Sequence, residues 1–494
     1  MGVALFYMLH TASGLARISS YLSGQLSLEI GQDVKVDVEA ISLSLGAVNA
    51  RMLVNDALRV EVHGDRGAFD RVYDVNYHIR GEKIAFEGVN FQDKVNLKGR
   101  FQGTLEAFKL QGKGRALDGK VDFSLEHQAK QDREIALKMQ EGNATKLFQL
   151  FGKAPLIKGK FSLDMDVPQY SQFEKAGDIK LTLHRAGVYP QNIRHLYGIA
   201  VPDDLMLWGN LSVHLTNAID HFDAKIASTI GKIFIKKGKI TEAKQEMRAL
   251  YSVEIPALSK WQFLTKKAFY GPFVANGEFL YHDGLRLDGQ SKSLSGGLDY
   301  YYEKGTLEAK LDKVSLQKLF MTMHYPPIMI GDMSGRVELD IQKDVALVNL
   351  RSHNLHFKAN AVLEKIRKAS SIDIAKEIFT TSYFTSTIEK GIVYYDFKAE
   401  NSASHIYLLD AKMDSHKNSI DTNFDVKMQG EELSGVVYGS LKYPQVKLDM
   451  SKYIKFKAQK ELDDFFGTGT SGKIKKKLND VKIDDVKGLL KKLF

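Results

Sequence analysis

Apolar and polar residues alternate along most of the chain between residues 31 and 450. A period of two is typical of a β-strand that has one apolar and one polar face. In residues 161–167, for example, four apolar side chains are separated by Ser162, Asp164 and Asp166. The apolar positions that we select from the clearest runs are Val36, Val38, Phe161, Leu163, Met165, Leu211, Val213, Leu215, Val337, Leu339, Ile341, Phe424, Val426 and Met428. They are predicted to line one face of a sheet.

Short turn signals stand between the alternating runs. Leu117-Asp-Gly119, His282-Asp-Gly284 and Glu303-Lys-Gly305 each place a glycine where a tight hairpin needs one. Strands joined by such turns are antiparallel. No regularly alternating helical pattern is present that would cover a second face of the sheet, so a βαβ architecture is not predicted.

A four-part pattern recurs along the chain. Its clearest copies begin at residues 146 and 318, where Lys-Leu-Phe is followed by a proline, a glycine and an alternating run. A third copy begins at residue 195, and weaker copies begin at residues 268 and 377, the last of them without a proline. The spacing predicts repeats of roughly five or six strands, separated by a helical turn and a proline break.

An antiparallel sheet with one apolar face can close as a barrel, pair as a sandwich or remain an open trough. The repeat disfavours a single barrel, and no Pro/Ser-rich linker separates sandwich domains between residues 31 and 450. We therefore predict a mainly β fold: a long, twisted antiparallel sheet that forms an open groove, with short helices between repeats and helices at both termini. The alternative is a filled sandwich core, which alternation alone does not exclude.

Both ends of the chain are predicted to be helical. Residues 1–30 begin with a short apolar stretch that contains Leu5, Phe6 and Leu9, and we interpret it as the end of a longer membrane-anchoring helix. The alternative is a short helix buried against the sheet. Residues 451–494 form a Lys-rich amphipathic tail that could lie in a bilayer interface or, alternatively, cap the fold as a solvated helix. The tail lysines selected as membrane contacts are Lys473, Lys475, Lys476, Lys477, Lys491 and Lys492.

Charge is concentrated in that tail. The 494 residues contain 69 Lys and Arg against 60 Asp and Glu, a net charge of +9. Residues 473–494 contribute eight lysines and three aspartates, so 8 − 3 = +5 of this excess lies in the last 22 residues. The rest of the chain is close to balanced, and we expect no nucleic-acid partner.

Catalytic and metal-binding signatures are absent from the sequence. Cysteine is absent, and no H-E-x-x-H or G-x-S-x-G motif occurs. Residues 467–473 imitate a phosphate-binding loop, but Ile474 occupies the position of the magnesium-ligating Ser or Thr. We therefore expect no catalytic residues, no metal site and no cofactor, and the chain is not predicted to be an enzyme.

The C-terminal part resembles the AsmA-like proteins of the Gram-negative envelope, which are relatives of TamB. The similar segments are residues 380–395, 408–413, 420–428 and Val437-Tyr-Gly-Ser-Leu-Lys-Tyr-Pro-Gln-Val446, followed by the Lys-rich helix. Residues 306–320 resemble the internal repeat of that family, and residues 16–55 resemble its N-terminal entry. On this basis we divide the chain into an N-terminal helix (1–30), repeating β-groove units (31–360), an AsmA-like C-terminal β region (361–450) and the helical tail (451–494).

The resemblance implies a periplasmic protein that is attached to the inner membrane through its N-terminal helix. Members of this family are thought to conduct phospholipid towards the outer membrane or to influence its assembly. The apolar positions selected above are then the candidate lining of a lipid groove. The implied partners are phospholipid, the inner membrane, the outer membrane and other envelope proteins. The alternative function is a structural, adhesin or scaffold protein built of closed β-domains and carrying no lipid.

Overall fold

The computed structural model describes residues 35–466, with gaps at 45, 68–71, 83, 87–88, 92–93, 105, 129–132, 171–174, 266, 371 and 429, together with Ser20 and Ser23. The fold is mainly β, with 63% of residues in strands and 14% in helices. One antiparallel sheet contains 27 strands and does not close into a barrel, which confirms the predicted fold class.

The chain divides into two compact units. Unit 1 comprises Met1–Lys267 and Glu278–His282, and unit 2 comprises Ala268–Gly277 and Asp283–Phe494. The strand β18 (Phe273–His282) contributes residues to both.

Unit 1 is a meander in which almost every strand pairs with the next one in the chain. Its strands are β1 (Val36–Ser44), β2 (Ala47–Val54), β3 (Leu58–Arg66), β4 (Tyr73–Gly81), β5 (Ile84–Phe86), β6 (Val89–Phe91), β7 (Val95–Gly103), β8 (Phe108–Ala116), β9 (Gly119–His127), β10 (Arg133–Asn143), β11 (Ile157–Lys158), β12 (Lys160–Tyr170), β13 (Lys175–Val188), β14 (Met206–Leu215), β15 (Asp220–Ser228), β16 (Lys232–Thr241) and β17 (Glu246–Ile255). Strands β5 and β6 form a separate hairpin, so β4 pairs directly with β7.

Unit 2 continues in the same way, and each strand from β19 to β29 pairs with its successor. Its strands are β19 (Gly284–Ser291), β20 (Gly297–Glu303), β21 (Thr306–Ser315), β22 (Met329–Asp340), β23 (Val345–Phe357), β24 (Phe379–Glu389), β25 (Ile392–Glu400), β26 (His405–Asp414), β27 (Ser419–Met428), β28 (Glu431–Ser440) and β29 (Pro444–Asp449).

Six α-helices interrupt the meander within the described residues. They are α1 (Ala144–Leu150), α2 (Pro190–Tyr197), α3 (Gln262–Thr265), α4 (Leu316–Thr322), α5 (Ala361–Ser370) and α6 (Ser451–Phe466). Short 3-10 turns occupy Glu242–Lys244, Leu258–Trp261 and Ile374–Lys376.

Local sequence explains where several helices start and stop. The Asn143 side chain accepts a hydrogen bond from the Thr145 backbone N–H at 3.0 Å, which caps α1. Helix α2 has proline at its first position, where no backbone N–H is needed, and ends at Gly198 with φ 71°. Ser315 caps α4 through the Lys318 N–H. Capping residues at strand ends therefore switch the chain from strand to helix.

The helices of each unit lie at one edge of its sheet. In unit 1, α1, α2 and α3 follow β10, β13 and β17. An odd number of paired strands lies between each two of these: β12 between β10 and β13, and β14, β15 and β16 between β13 and β17. Because neighbouring strands are antiparallel, β10, β13 and β17 run in the same direction and their helices emerge at the same edge. The same reasoning places α4, α5 and α6, which follow β21, β23 and β29, at one edge of unit 2.

The predicted repeat is only partly correct. Lys146-Leu-Phe148 and Lys318-Leu-Phe320 lie in α1 and α4, as expected, and the 195–197 copy lies in α2. The copies at 268 and 377 fall outside the α-helices. The number of long strands between successive helices is two, four, four, two and six, instead of five or six throughout. Hairpins can be added between helices without disturbing the sheet, so the helices do not mark equal units.

β-Bulges shift several strands by one residue. Glu141, Lys237, Lys313 and Asp410 adopt left-handed backbone conformations, with φ between 49° and 57°. Each lies where the pairing register shifts, and the next residue returns to the face occupied by the strand's apolar side chains. Ala411, for example, follows Asp410 and is fully buried.

The largest core lies in unit 2, under α5 and next to α6. Ile366 of α5 packs with residues of several strands, including Phe379 and Leu433, both 0% exposed. Helix α6 is joined to the sheet by ion pairs Lys452–Asp425 at 2.8 Å and Lys457–Glu431 at 3.0 Å. These helices therefore seal the helix-bearing end of the apolar face in this region.

We expect Leu433→Ala to lower the free energy of unfolding by ~2–5 kcal/mol, because it removes a fully buried side chain from this core. The matched control is Leu409→Ala, whose side chain is 42% exposed on the opposite face and should cost about 0.5 kcal/mol or less. Urea unfolding followed by circular dichroism measures both. Equal losses would contradict the placement of the core.

Candidate functional site

The candidate site in unit 1 is the apolar face of its sheet. One residue from each successive main-sheet strand faces the next across the ladder, from β1 to β17. This first row is Val38, Met52, Val60, Ile79, Leu97, Gly114, Val121, Met139, Leu163, Leu181, Leu211, Ala224, Ile235 and Tyr251. Every strand contributes an uncharged residue, so the row is an uninterrupted apolar track that crosses all of these strands.

A second row runs beside the first. It consists of Ile41, Ala50, Val62, Tyr77, Gly99, Gly112, Phe123, Leu137, Met165, Ile179, Val213 and Phe222. Residues on the same face of adjacent strands have Cβ atoms about 4.5–5.5 Å apart, so both rows are continuous at the scale of a hydrocarbon chain.

Aromatic rings occupy the space beside the glycines of the second row. A Cβ atom at Gly99 or Gly112 would collide with the Tyr77 hydroxyl group, and at Gly112 also with the Phe123 ring. The Tyr77 hydroxyl donates a hydrogen bond to the Gln111 carbonyl oxygen at 2.8 Å. Tyr77 therefore lies across two glycines, and the surface here is a smooth floor without a projecting side chain.

The opposite face of the same sheet is charged. Cross-strand ion pairs join Arg80 to Glu61 at 2.8 Å and Lys113 to Asp122 at 2.9 Å. Arg100 forms a bidentate contact with Asp74, and this hydrogen bonding holds the pKa of the Asp74 carboxyl below its ordinary value. Such exposed pairs add little stability, but they keep this face in water. The sheet of unit 1 is therefore strongly amphipathic.

The helices cover only part of the apolar face. Leu147 of α1 packs with Val121, Met139 and Phe161, all less than 9% exposed. Ile193 of α2, with Trp261 and Phe263, packs on a neighbouring cluster around Val188. Farther from the helices, residues of the second row such as Leu137, Ile179 and Val213 are only half-buried. The second row and the half-buried members of the first row, such as Leu163, thus form a strip of apolar surface that the helices of unit 1 leave uncovered. We call it the apolar strip.

Unit 2 has a similar arrangement. Its row farthest from the helices is Tyr302, Leu307, Leu339, Ala346, Ile388, Val393, Met413, Ile420, Gly439 and Pro444. The members Leu339, Ile388 and Met413 are half-buried. The rows nearer the helices contribute instead to the core around Leu433.

The structure places thirteen of the fourteen selected apolar positions on the apolar faces. Val36, Val38, Phe161, Leu163, Met165, Leu211, Val213 and Leu215 share the face in unit 1, and Val337, Leu339, Phe424, Val426 and Met428 share the face in unit 2. Phe424, Val426 and Met428 are at most 5% exposed within the core next to α5 and α6, so they do not belong to an uncovered surface. Val36 and Phe161 in unit 1 are each 2% exposed and are excluded from it for the same reason. Ile341 lies outside the strands, in the turn after β22, and is 54% exposed.

The selected membrane contacts lie outside the described residues. This applies to Leu5, Phe6 and Leu9 and to all six tail lysines. No helix in the described part of the chain is long and apolar enough to cross a membrane.

Sequence inspection missed the part of the strip formed by β3 to β9. Val62, Ile79, Leu97 and Phe123 lie there, and none was selected. The signal was present as short alternations, such as Val121, Phe123 and Leu125, but glycines replace apolar residues in β7 and β8 and weaken the pattern.

The chemistry of the strip is that of an unspecific apolar surface. Burial raises the pKa of Tyr77 to about 12, so its phenol remains a neutral hydrogen-bond donor at physiological pH. Within the described ranges, no group of three or more metal-ligating side chains converges. An apolar strip without fixed polar partners can bind hydrocarbon chains without selecting one position along them.

Comparisons with known proteins found no match to this chain among family models, curated protein sequences or solved structures.

We expect alkaline pH to weaken the fold through Tyr77. Its pKa is about 12 in the folded chain and about 10 when unfolded, so its stabilising effect is complete below pH 10 and is lost as the pH rises through 12. Between about pH 9 and about pH 11, the wild type should lose about 1 kcal/mol more stability than Tyr77→Phe. Tyr197→Phe, at a position that is 61% exposed, is the control for loss of a phenol. Parallel losses in the wild type and Tyr77→Phe would contradict this role.

Proposed function

We propose that this chain binds phospholipid acyl chains on the uncovered apolar strip and lets them move along it. The observation that carries this proposal is the second row of unit 1, in which uncharged residues follow one another from Ile41 to Phe222 on a sheet that does not close. No charged side chain stands in that row, so an acyl chain moving from one strand to the next would meet the same apolar environment.

The energetic reason for such a surface is the cost of exposing hydrocarbon to water. For a lipid with two acyl chains and ~30 methylenes, transfer of both chains into water costs on the order of 24 kcal/mol of free energy. A strip of aliphatic side chains offsets much of that cost while the headgroup stays hydrated. The half-burial of Leu137, Ile179 and Val213 leaves their side chains accessible for this contact.

The cellular setting remains part of the proposal. The resemblance of residues 380–446 to AsmA-like proteins suggests a periplasmic protein attached to the inner membrane, conducting lipid towards the outer membrane and contributing to its assembly. The alternative, a scaffold or adhesin that carries no lipid, predicts no affinity for acyl chains and is separated from it by the experiment below.

Leu163→Asp tests the strip directly. Leu163 occupies the middle of the first row, between Met139 and Leu181, and a carboxylate there would stand in the path of an acyl chain. We expect the affinity for a fluorescent phospholipid to fall about tenfold, because one aliphatic contact is lost and a charge must be desolvated.

The matched control is Ser162→Asp. Ser162 is the preceding residue, lies on the opposite face and hydrogen-bonds His184 at 2.8 Å, so the same charge is added outside the strip. Thermal unfolding of both variants checks that each is folded. Equal lipid binding by the two variants, or a wild-type protein from which mass spectrometry detects no co-purified phospholipid, would overturn the proposal.

A further inference from the structure

Exposed apolar side chains recur at the helix-bearing edge of unit 1. Phe151, directly after α1, is 59% exposed, and Leu196 and Tyr197 at the end of α2 are 50% and 61% exposed. Leu264 in α3 is 50% exposed. We call these four residues the helix-edge group. They lie outside the apolar strip, because α1, α2 and α3 use other side chains, such as Leu147 and Ile193, to cover the sheet.

The helix-edge group lies at one edge of unit 1 because an even number of long strands separates its helices. The helices α1 and α2 are separated by two long strands, β12 and β13, and α2 and α3 by four, β14 to β17. At about 4.8 Å per strand, their spacings along the edge are about 10 Å and about 19 Å. Three separate helices thus present apolar side chains on the same side of unit 1.

The helical segments that carry this group have charge of one sign. The segments 144–154, 190–201 and 258–267 contain six Lys and Arg residues and no Asp or Glu. The first acidic residues after the second segment are the exposed Asp203 and Asp204. Within the described residues, Lys146 pairs with Asp118, whereas the exposed Lys153, Arg194 and Lys267 form no ion pair. Three unneutralised cations therefore accompany the exposed apolar side chains.

We propose that the helix-edge group docks unit 1 on the surface of an anionic phospholipid bilayer. Aromatic and aliphatic side chains next to basic ones are the composition that binds a membrane interface: the apolar groups enter the headgroup region and the cations attract anionic lipid. Binding of an acidic protein partner would account for the cations, but it would not explain why the four apolar side chains of the helix-edge group are exposed. This docking is independent of lipid binding on the strip.

Unit 2 carries the same combination on α4 and in the three residues that follow it. Met321 and Tyr325 are each 60% exposed, and the segment 316–328 contains Lys318 and no Asp or Glu. The motif therefore recurs in a second helix of the same sheet-to-helix type, at the helix-bearing edge of its own unit.

The absence of cysteine from the chain permits a local test. Tyr197→Cys and Phe151→Cys in the full chain, each labelled with an environment-sensitive fluorophore, report directly on the helix-edge group. Leu250→Cys is the matched control, because Leu250 is 43% exposed on the charged face of the same unit. On addition of vesicles of phosphatidylcholine with phosphatidylglycerol, we expect emission from positions 151 and 197 to rise about twofold and shift to the blue, and position 250 to stay unchanged.

A variant that removes one cation tests the electrostatic contribution to membrane docking. Arg194→Gln should weaken binding to these vesicles about fivefold, whereas Arg185→Gln, which removes a cation lying over the Trp208 ring on the charged face, should not. Pure phosphatidylcholine vesicles should give little response. Equal responses at positions 197 and 250, or no response at positions 151 and 197, would overturn the docking surface. A Leu163→Asp protein that loses lipid binding but still docks on vesicles would show that docking and lipid binding are independent.

Discussion

The whole arrangement depends on strand register. Side chains on a strand alternate between faces, so a slip of one residue would carry every apolar side chain of that strand into the charged face. The pairing in unit 1 avoids this from Val38 to Tyr251, across every main-sheet strand. Where a strand would fall out of phase, a bulge at Glu141 or Lys237 inserts one residue in a left-handed conformation and restores the phase.

Register also explains why the two faces can differ so sharply. The charged face pairs Lys113 with Asp122 across adjacent strands, and the residues on either side of these positions belong to the apolar face. Helices cover that face only near the edge from which they emerge. The sheet is therefore held mainly by its own ladder and by partial helix packing, and the uncovered strip is the consequence of having helices at one edge only.

Much of this fold could be predicted from the sequence, because period-two alternation is a direct signature of amphipathic strands. The antiparallel open sheet was predicted from runs such as residues 161–167 and turns such as Leu117-Asp-Gly119, whose Leu117 and Asp118 adopt the positive φ of a tight hairpin. Strands β7 and β8 were harder to recognise, since Gly99 and Gly112 occupy apolar-face positions and carry no side chain. The ring that covers them belongs to Tyr77, which is distant in sequence.

The candidate site was predicted less completely than the fold. Alternation identifies which residues share a face but not which part of that face a helix covers. Phe424, Val426 and Met428 have the same pattern as Leu163, yet they are buried in the core that includes α5 residues. The positions of the helices depend on caps such as Asn143 and Ser315 and on how many hairpins separate them, and neither feature alters the alternation of the strands.

The even number of strands between helices has an evolutionary consequence. Each strand touches mainly its two neighbours, so the chain can lengthen by duplicating a hairpin without rebuilding a central core. Only duplication in pairs keeps later helices on their original side, because a single inserted strand would reverse the direction of all that follow. Both strand numbers in unit 1 are even: two long strands lie between α1 and α2, and four between α2 and α3. Relatives of different length should therefore differ by whole hairpins.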